Sequence, residues 1–325
     1  MRRILAVIFL MLLLNGCKTV QTQTPAIAET QPAATATEAE TCAETEPETI
    51  PVTVPETIPE TVPETEPPVH LEIRSADAVV DYTYTQDGYI TVCYTGQTEQ
   101  RLKFRLTGPT TTYTYNLPLN QWSVFPLSDG NGSYQASVYI NTTGSKYALV
   151  MTGQFEVELS DEFAPFLRPN QYVDYADAVN TVKKSAELCG GLKDPLEKVA
   201  AVYDFTVGTL SYDYERAATV KSGYLPVLDD VLAQGKGICF DYAALMAAML
   251  RAQGVPCKLV VGYVGEIYHA WISVWIEETG WIDGAIFFDG NAWKRMDPTF
   301  ASSGGRSDEI MDFIKNETYT VKYLY

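Results

Sequence analysis

The chain has 325 residues, 46% hydrophobic, with a formal net charge of −18 at pH 7. That length allows one to three domains with a sizeable core. An acidic balance speaks against a nucleic-acid partner, whose phosphates recruit Lys and Arg. Six cysteines without a CxxC spacing make neither a disulfide scaffold nor a zinc site, so no metal and no cofactor are expected.

Met1-Arg2-Arg3 and the apolar run from Ile4 to Leu14 read as an export signal, because the run is shorter than the ~20 residues a bilayer crossing needs. Residues 1–16 end at Leu14-Asn15-Gly16-Cys17, which resembles the bacterial lipobox except for Asn15. The resemblance implies cleavage before Cys17, lipidation of Cys17, and a protein held on the cell membrane facing the extracellular side. Two or three acyl chains on one residue make a stable anchor.

Residues 17–70 are rich in Thr, Pro, Glu and Ala. They carry ten Glu, no Asp and one Lys from position 18 onward. Few large apolar side chains are present to offset chain entropy, so the segment is expected to stay unfolded. From Glu48 a four-residue period ending in Pro favours extended polyproline II, which at ~3.1 Å per residue reaches at most about 160 Å. The reading is a stalk that lifts the remainder off the membrane, toward a cell-wall component. Cys42 and His70 are given no chemical role.

Residues 71–160 alternate at period two, are rich in Tyr, Val and Thr, and are punctuated by Asp87-Gly88, Gly108-Pro109 and Asp129-Gly130-Asn131-Gly132. About seven short strands suggest a β-sandwich of immunoglobulin-like type. A spacer or packing role is the default, and a tyrosine-lined glycan-binding face is the alternative. Residues 161–174, with Phe163, Phe166 and Leu167 among prolines, form a connector that packs. The last domain, 175–325, begins with helices over 175–188, from Pro195 after an Asp194 N-cap to about Leu210, and over 226–233.

Gly235-Lys236-Gly237-Ile238-Cys239 then delivers a cysteine to the first turn of an apolar helix running to Arg251 and closed by Gly254 and Pro256. There the positive end of the peptide dipoles favours an anionic, nucleophilic sulfur. Asp241 is read as a cap for free amides. Four strand-like runs follow, beginning at Lys258, Tyr268, Gly280 and Trp293. They suggest an antiparallel sheet against the cysteine helix. His269 opens one run and Asp297 closes another. The chain has only two histidines, His70 and His269, so His269 is the one imidazole available in the folded part. Cys239, His269 and Asp297 thus arrive as nucleophile, base and orienting acid, a layout for thiol acyl transfer.

Gly237-Ile-Cys239-Phe-Asp-Tyr-Ala, Met249-Leu-Arg-Ala-Gln-Gly-Val-Pro-Cys-Lys-Leu-Val-Val-Gly-Tyr, His269-Ala-Trp271 and Met296-Asp297-Pro-Thr together resemble the transglutaminase-like superfamily over residues 170–300. The resemblance implies an α+β, papain-like core with helices packed on an antiparallel sheet. It carries the triad roles to the same three residues. Ile238 and Phe240 stand where eukaryotic members have Gln and Trp, and no calcium pattern is evident; this tilts the reading toward hydrolysis over amine transfer. For the oxyanion hole, the Cys239 amide is one candidate donor, Tyr212 a second, and Gln234 its rival. The expected substrate is a protein or peptide at the cell surface. The competing reading is a non-catalytic interaction or glycan-binding lipoprotein on the same fold.

Overall fold

The computed structural model describes residues 70–283, 286–288, 293–295 and 318–325. The signal, Cys17, most of the stalk and Asp297 lie outside the described residues. Among the described residues no helix is long and apolar enough to cross a membrane.

Strands β1 (Glu72–Arg74), β2 (Ala78–Asp81), β3 (Tyr89–Tyr94), β4 (Leu102–Thr107), β5 (Thr112–Leu117), β6 (Ser123–Pro126), β7 (Gly132–Thr143) and β8 (Lys146–Val157) build the first domain. They form two antiparallel sheets, ordered β1-β2-β3-β6 and β5-β4-β7-β8. Alternation sends Leu102, Phe104 and Leu106 of β4 and Tyr113, Tyr115 and Leu117 of β5 inward. Phe104 meets Phe125 of the opposite sheet at 4.5 Å between ring centroids. Tyr94, Tyr113, Tyr115 and Tyr134 are therefore core residues, and they contribute no sugar-binding face. One strand expected from the sequence is displaced. Tyr82-Thr83-Tyr84 leads into a 3₁₀ turn over Thr85–Asp87, and the strand is the preceding Ala78–Asp81, buried at every position and so without alternation.

The connector packs as expected. Its 3₁₀ turn Ala164–Phe166 sits against Gly88, where an added Cβ would fall 2.6 Å from the Pro165 nitrogen. Phe163 meets Trp275 at a tilt with ring centroids 4.7 Å apart, and Phe166 meets Trp281 edge-on at 5.4 Å.

The second domain opens with α1 (Val179–Cys189), α2 (Pro195–Thr209), β9 (Ser211–Tyr212), α3 (Tyr214–Thr219), α4 (Leu228–Gln234), β10 (Lys236–Gly237) and α5 (Cys239–Arg251). The Asp194 carboxylate accepts from the Leu196 amide at 2.9 Å, the cap expected for α2. Helix α1 starts at Val179 instead of Tyr175, because its cap comes from elsewhere in the chain. Asp229 of α4 accepts from the backbone amides and side chains of Asn180 and Thr181 at 2.8–3.1 Å. Helix α4 likewise begins at Leu228, two residues after Pro226. Helix α5 is the centre of the core: every residue from Asp241 to Arg251 is buried.

Against α5 lies a four-stranded antiparallel sheet ordered β13-β12-β11-β16, made of β11 (Cys257–Val264), β12 (Ile267–Ile276), β13 (Gly280–Asp283) and β16 (Tyr319–Leu324). This differs from the four consecutive runs expected. Among the described residues Ile286–Phe288 (β14) and Trp293–Arg295 (β15) pair only with each other, and the outer place beside β11 goes to β16. Buried Arg251 donates to the carbonyls of Cys257, Arg168 and Tyr325 at 2.5–2.8 Å, joining α5, the connector and the end of β16.

Candidate active site

Cys239 is the first residue of α5, preceded by Ile238 in extended conformation (φ −95°, ψ 175°). The two residues before Ile238 pair in parallel with β9, Gly237 opposite Tyr212, and the Asp213 amide donates to the Gly237 carbonyl at 2.8 Å. This short ladder holds Tyr212 beside the cysteine turn, although 27 positions separate them in the sequence.

Asp241, with 0% exposure, secures the turn from behind. It accepts from the Ile238 amide at 2.8 Å, from the Tyr224 hydroxyl at 2.6 Å and from Arg216 Nη1 at 3.3 Å. The amide-capping role read from the sequence is therefore observed, with two further partners that the sequence did not disclose. Gly237 is required here: a Cβ on it would lie 2.6 Å from the Asp241 Cβ. Burial, and then the hydrogen bond to Asp241, push the Tyr224 phenol upward, which keeps it a donor. Segment 214–224, with α3 inside it, is thereby fastened to the start of α5.

A cavity of about 570 Å³ opens in front of this turn. Cys239, His269 and Tyr212 all line it. Tyrosines dominate its walls: Tyr172 from the connector, Tyr224 from the 214–224 segment, Tyr268 from β12, and Tyr323 and Tyr325 from the C-terminal strand. Thr114, from β5 of the sandwich, also lines it. In β12, Ala270, Ile272, Val274 and Ile276 join the core around α5. His269 and Trp271 take the alternate positions, with ring planes 21° apart and centroids 6.3 Å apart.

The four described cysteines are all unpaired, and three of them are unsuited to nucleophilic work. Cys93, Cys189 and Cys257 are buried, and desolvation raises their thiols, that of Cys257 to about 12. Cys239 is the partly exposed one, and it faces the cavity that holds the imidazole. Of the two proposed oxyanion donors, Tyr212 borders the cavity. Gln234 is exposed at the end of α4, does not line the cavity, and accepts from Arg216 Nη2 at 3.3 Å. Asp297 lies outside the described residues.

Sequence reasoning missed Tyr224, Arg216, Tyr323, Tyr325 and Thr114. The alternation Tyr319-Thr-Val-Lys-Tyr-Leu-Tyr was a usable strand signal for two of them. A smaller cavity of about 350 Å³ beside Lys258 and Trp281 has neither cysteine nor histidine in its walls. Ligand-type atoms of His70, Glu72 and Asp81 lie within 4.8 Å of one another, and the 3.1 Å contact of His70 Nδ1 with Asp81 accounts for the grouping without an ion.

Residues 182–298 match the model of the transglutaminase-like superfamily. A protein-glutamine gamma-glutamyltransferase of Pseudomonas aeruginosa is 34% identical over 134 residues, which is 36% of this chain and 18% of that protein. The uncharacterized protein ML0607 of Mycobacterium leprae is 28% identical, over 43% of this chain and 46% of its own length. This chain thus spans less than half of either relative. Among solved structures, the periplasmic domain of TgpA from Pseudomonas aeruginosa aligns over 72% of this chain and 76% of its own, at 17% identity and a TM-score of 0.32. So loose a superposition bears no functional weight.

Proposed function

We propose, from the match of residues 182–298 to the transglutaminase-like superfamily, that the protein is a thiol acyl-transfer enzyme using Cys239, His269 and Asp297. The observation that carries the reading is the shared cavity. A partly exposed cysteine at a helix start and the imidazole of His269 line one cleft, with a phenol, Tyr212, beside them.

The steps follow from these roles. The Cys239 sulfur attacks a carboxamide or peptide carbonyl while His269 takes the thiol proton. The carbonyl oxygen becomes an oxyanion, for which the Cys239 amide and the Tyr212 hydroxyl are the proposed donors; losing one such donor typically costs ~10²–10³ in rate. Collapse expels ammonia or an amine, protonated by His269, and leaves a thioester on Cys239. Water or a second amine then attacks the thioester, His269 accepts its proton, and the thiol is restored. Asp297 is proposed to orient the imidazole through its other nitrogen.

The acceptor is decided by two parallel assays on one glutamine-containing peptide. Incorporation of a labelled amine marks a transferase, as the printed name of the Pseudomonas relative would suggest. Ammonia release or chain cleavage without amine uptake marks a hydrolase, the direction that Ile238 and Phe240 favour. Absence of all three products, with Cys239 no more reactive than in denatured protein, would support the non-catalytic reading. We place the enzyme on the outer face of the cell membrane through a lipidated Cys17, with residues 17–70 as its tether. Loss of the protein from the membrane fraction in Cys17→Ala tests that location.

A further inference from the structure

We propose that the outer face of the sandwich sheet β5-β4-β7-β8 extends the substrate cleft and selects polypeptides with acidic residues beside the reacting side chain. The inference rests on the acyl-transfer reading for the identity of the cleft. Its own evidence is separate.

The sandwich is part of the cleft wall. Thr114 of β5, an edge strand of its sheet, lines the cavity that holds Cys239. Two positions on, Asn116 is clasped from three sides. Its side-chain oxygen accepts from Lys103 Nζ at 2.6 Å, and its backbone carbonyl accepts from Gln171 Nε2 at 3.0 Å. On the third side, Gly223 of the 214–224 segment approaches so closely that a Cβ there would fall 2.6 Å from the Asn116 amide nitrogen. Gly223 also needs its φ of +91°, so both conformation and space exclude a side chain at this junction.

From that junction the sheet register lays out three outward rows. They are Asn116–Lys103–Tyr139–Leu149, Thr114–Arg105–Ser137–Thr152 and Thr112–Thr107–Gln135–Gln154. None contains a carboxylate; the next row on the same face, Ser133–Glu156, carries the first one. Arg101, at the end of β4, continues the line of Lys103 and Arg105 at every second residue, and Lys221 stands at the cleft lip. The Arg105 guanidinium rests over the Tyr139 ring at 5.1 Å, and among the described residues none of these four cations lies within ion-pair distance of a carboxylate. On a chain of net charge −18, three successive rows that together hold cations and no carboxylate, bounded on the far side by Glu156, are a local inversion of the surface field. Outward β5 positions are Thr and Asn, which suit backbone and side-chain hydrogen bonds to an extended peptide. The occupant that fits both features is a polypeptide strand carrying Glu or Asp.

The test is fluorescence anisotropy with the full chain and three versions of one glutamine-containing peptide, flanked by acidic, neutral or basic residues. The acidic version should bind about three- to tenfold tighter than the neutral one at low salt, and the advantage should fade toward 1 M salt, where the Debye length shrinks to ~3 Å. Lys103→Glu with Arg105→Glu, both outside the reacting centre, should remove or reverse the preference while leaving alkylation of Cys239 by a small thiol reagent unchanged. Equal binding of the three peptides, an unaltered preference in the double variant, or binding of inorganic polyphosphate but not of the acidic peptide would overturn the proposal. Binding is read independently of turnover, so failure of the acyl-transfer reading shows separately, as an unreactive Cys239.

Discussion

At the scale of single residues, the decisive group behind the Cys239 turn is Asp241. It satisfies the Ile238 amide, the Tyr224 hydroxyl and Arg216 at once from a fully buried position. Tyr224→Phe removes one bond to this carboxylate and should cost about 1.5–3 kcal/mol. Asp241→Ala leaves two donors and a cation without their acceptor and should cost more, roughly 3–5 kcal/mol. Both are read as urea midpoints. If Tyr224 matters mainly by fastening the 214–224 segment, Tyr224→Phe should also raise KM for a peptide more than it slows reaction of Cys239 with a small thiol reagent. Equal effects on the two readouts would assign it to general stability instead.

At the scale of elements, the trans cap of α1 by Asp229 has a pH signature. Partial burial opposes the charge, but the bonds from Asn180 and Thr181 outweigh it and hold the carboxyl below its ordinary value of 3.8. A depressed folded-state value means the stabilisation is present above the unfolded value and is lost as pH falls through the folded one. Asp229→Ala should therefore cost about 1–2 kcal/mol near neutral pH, and the gap from wild type should narrow below about pH 4. A gap that stays constant down to pH 2 would show that the carboxylate charge is irrelevant.

Elements also show what could be read from the sequence. Helix α5 was legible to the residue, because an unbroken apolar run sits between Gly237 and the Gly254/Pro256 stop. The Asp194-Pro195 start of α2 was legible because its cap is local. The start of α1 was not, since its cap is Asp229, far along the chain. The place of β16 was not legible either: its alternation marks a strand but does not say that its partner is β11. Of the site, Cys239 and His269 could be named from motifs and order, and Tyr212 only as one of two candidates ahead of the cysteine helix; the cleft contains all three. The walls supplied by Thr114 and Tyr325 depend on how the sandwich meets the core, which no local pattern encodes.

At the scale of the whole molecule, the sandwich and the second domain share an aromatic seam. Tyr115 of β5 lies 5.7 Å from Tyr172 and 6.0 Å from Tyr325, and Tyr172 in turn lies 5.7 Å from Phe240, next to Cys239. Tyr115 is fully buried, and among the described residues its hydroxyl has no hydrogen-bond partner. Tyr115→Phe should then be neutral or stabilising by up to about 1 kcal/mol, whereas Tyr115→Ala should cost about 3–5 kcal/mol. Destabilisation of the Phe variant would reveal a partner for the hydroxyl. The seam makes the sandwich a structural neighbour of the Cys239 cleft and not a detached spacer. The central claim remains the chemistry at Cys239. Its most direct test is intact-mass analysis of the full chain after brief exposure to a glutamine-containing peptide, with His269→Ala alongside. The account predicts a thioester adduct mapped to Cys239 in wild type and its loss or strong slowing in the histidine variant. An unmodified Cys239, or an adduct that forms equally fast without His269, would contradict it.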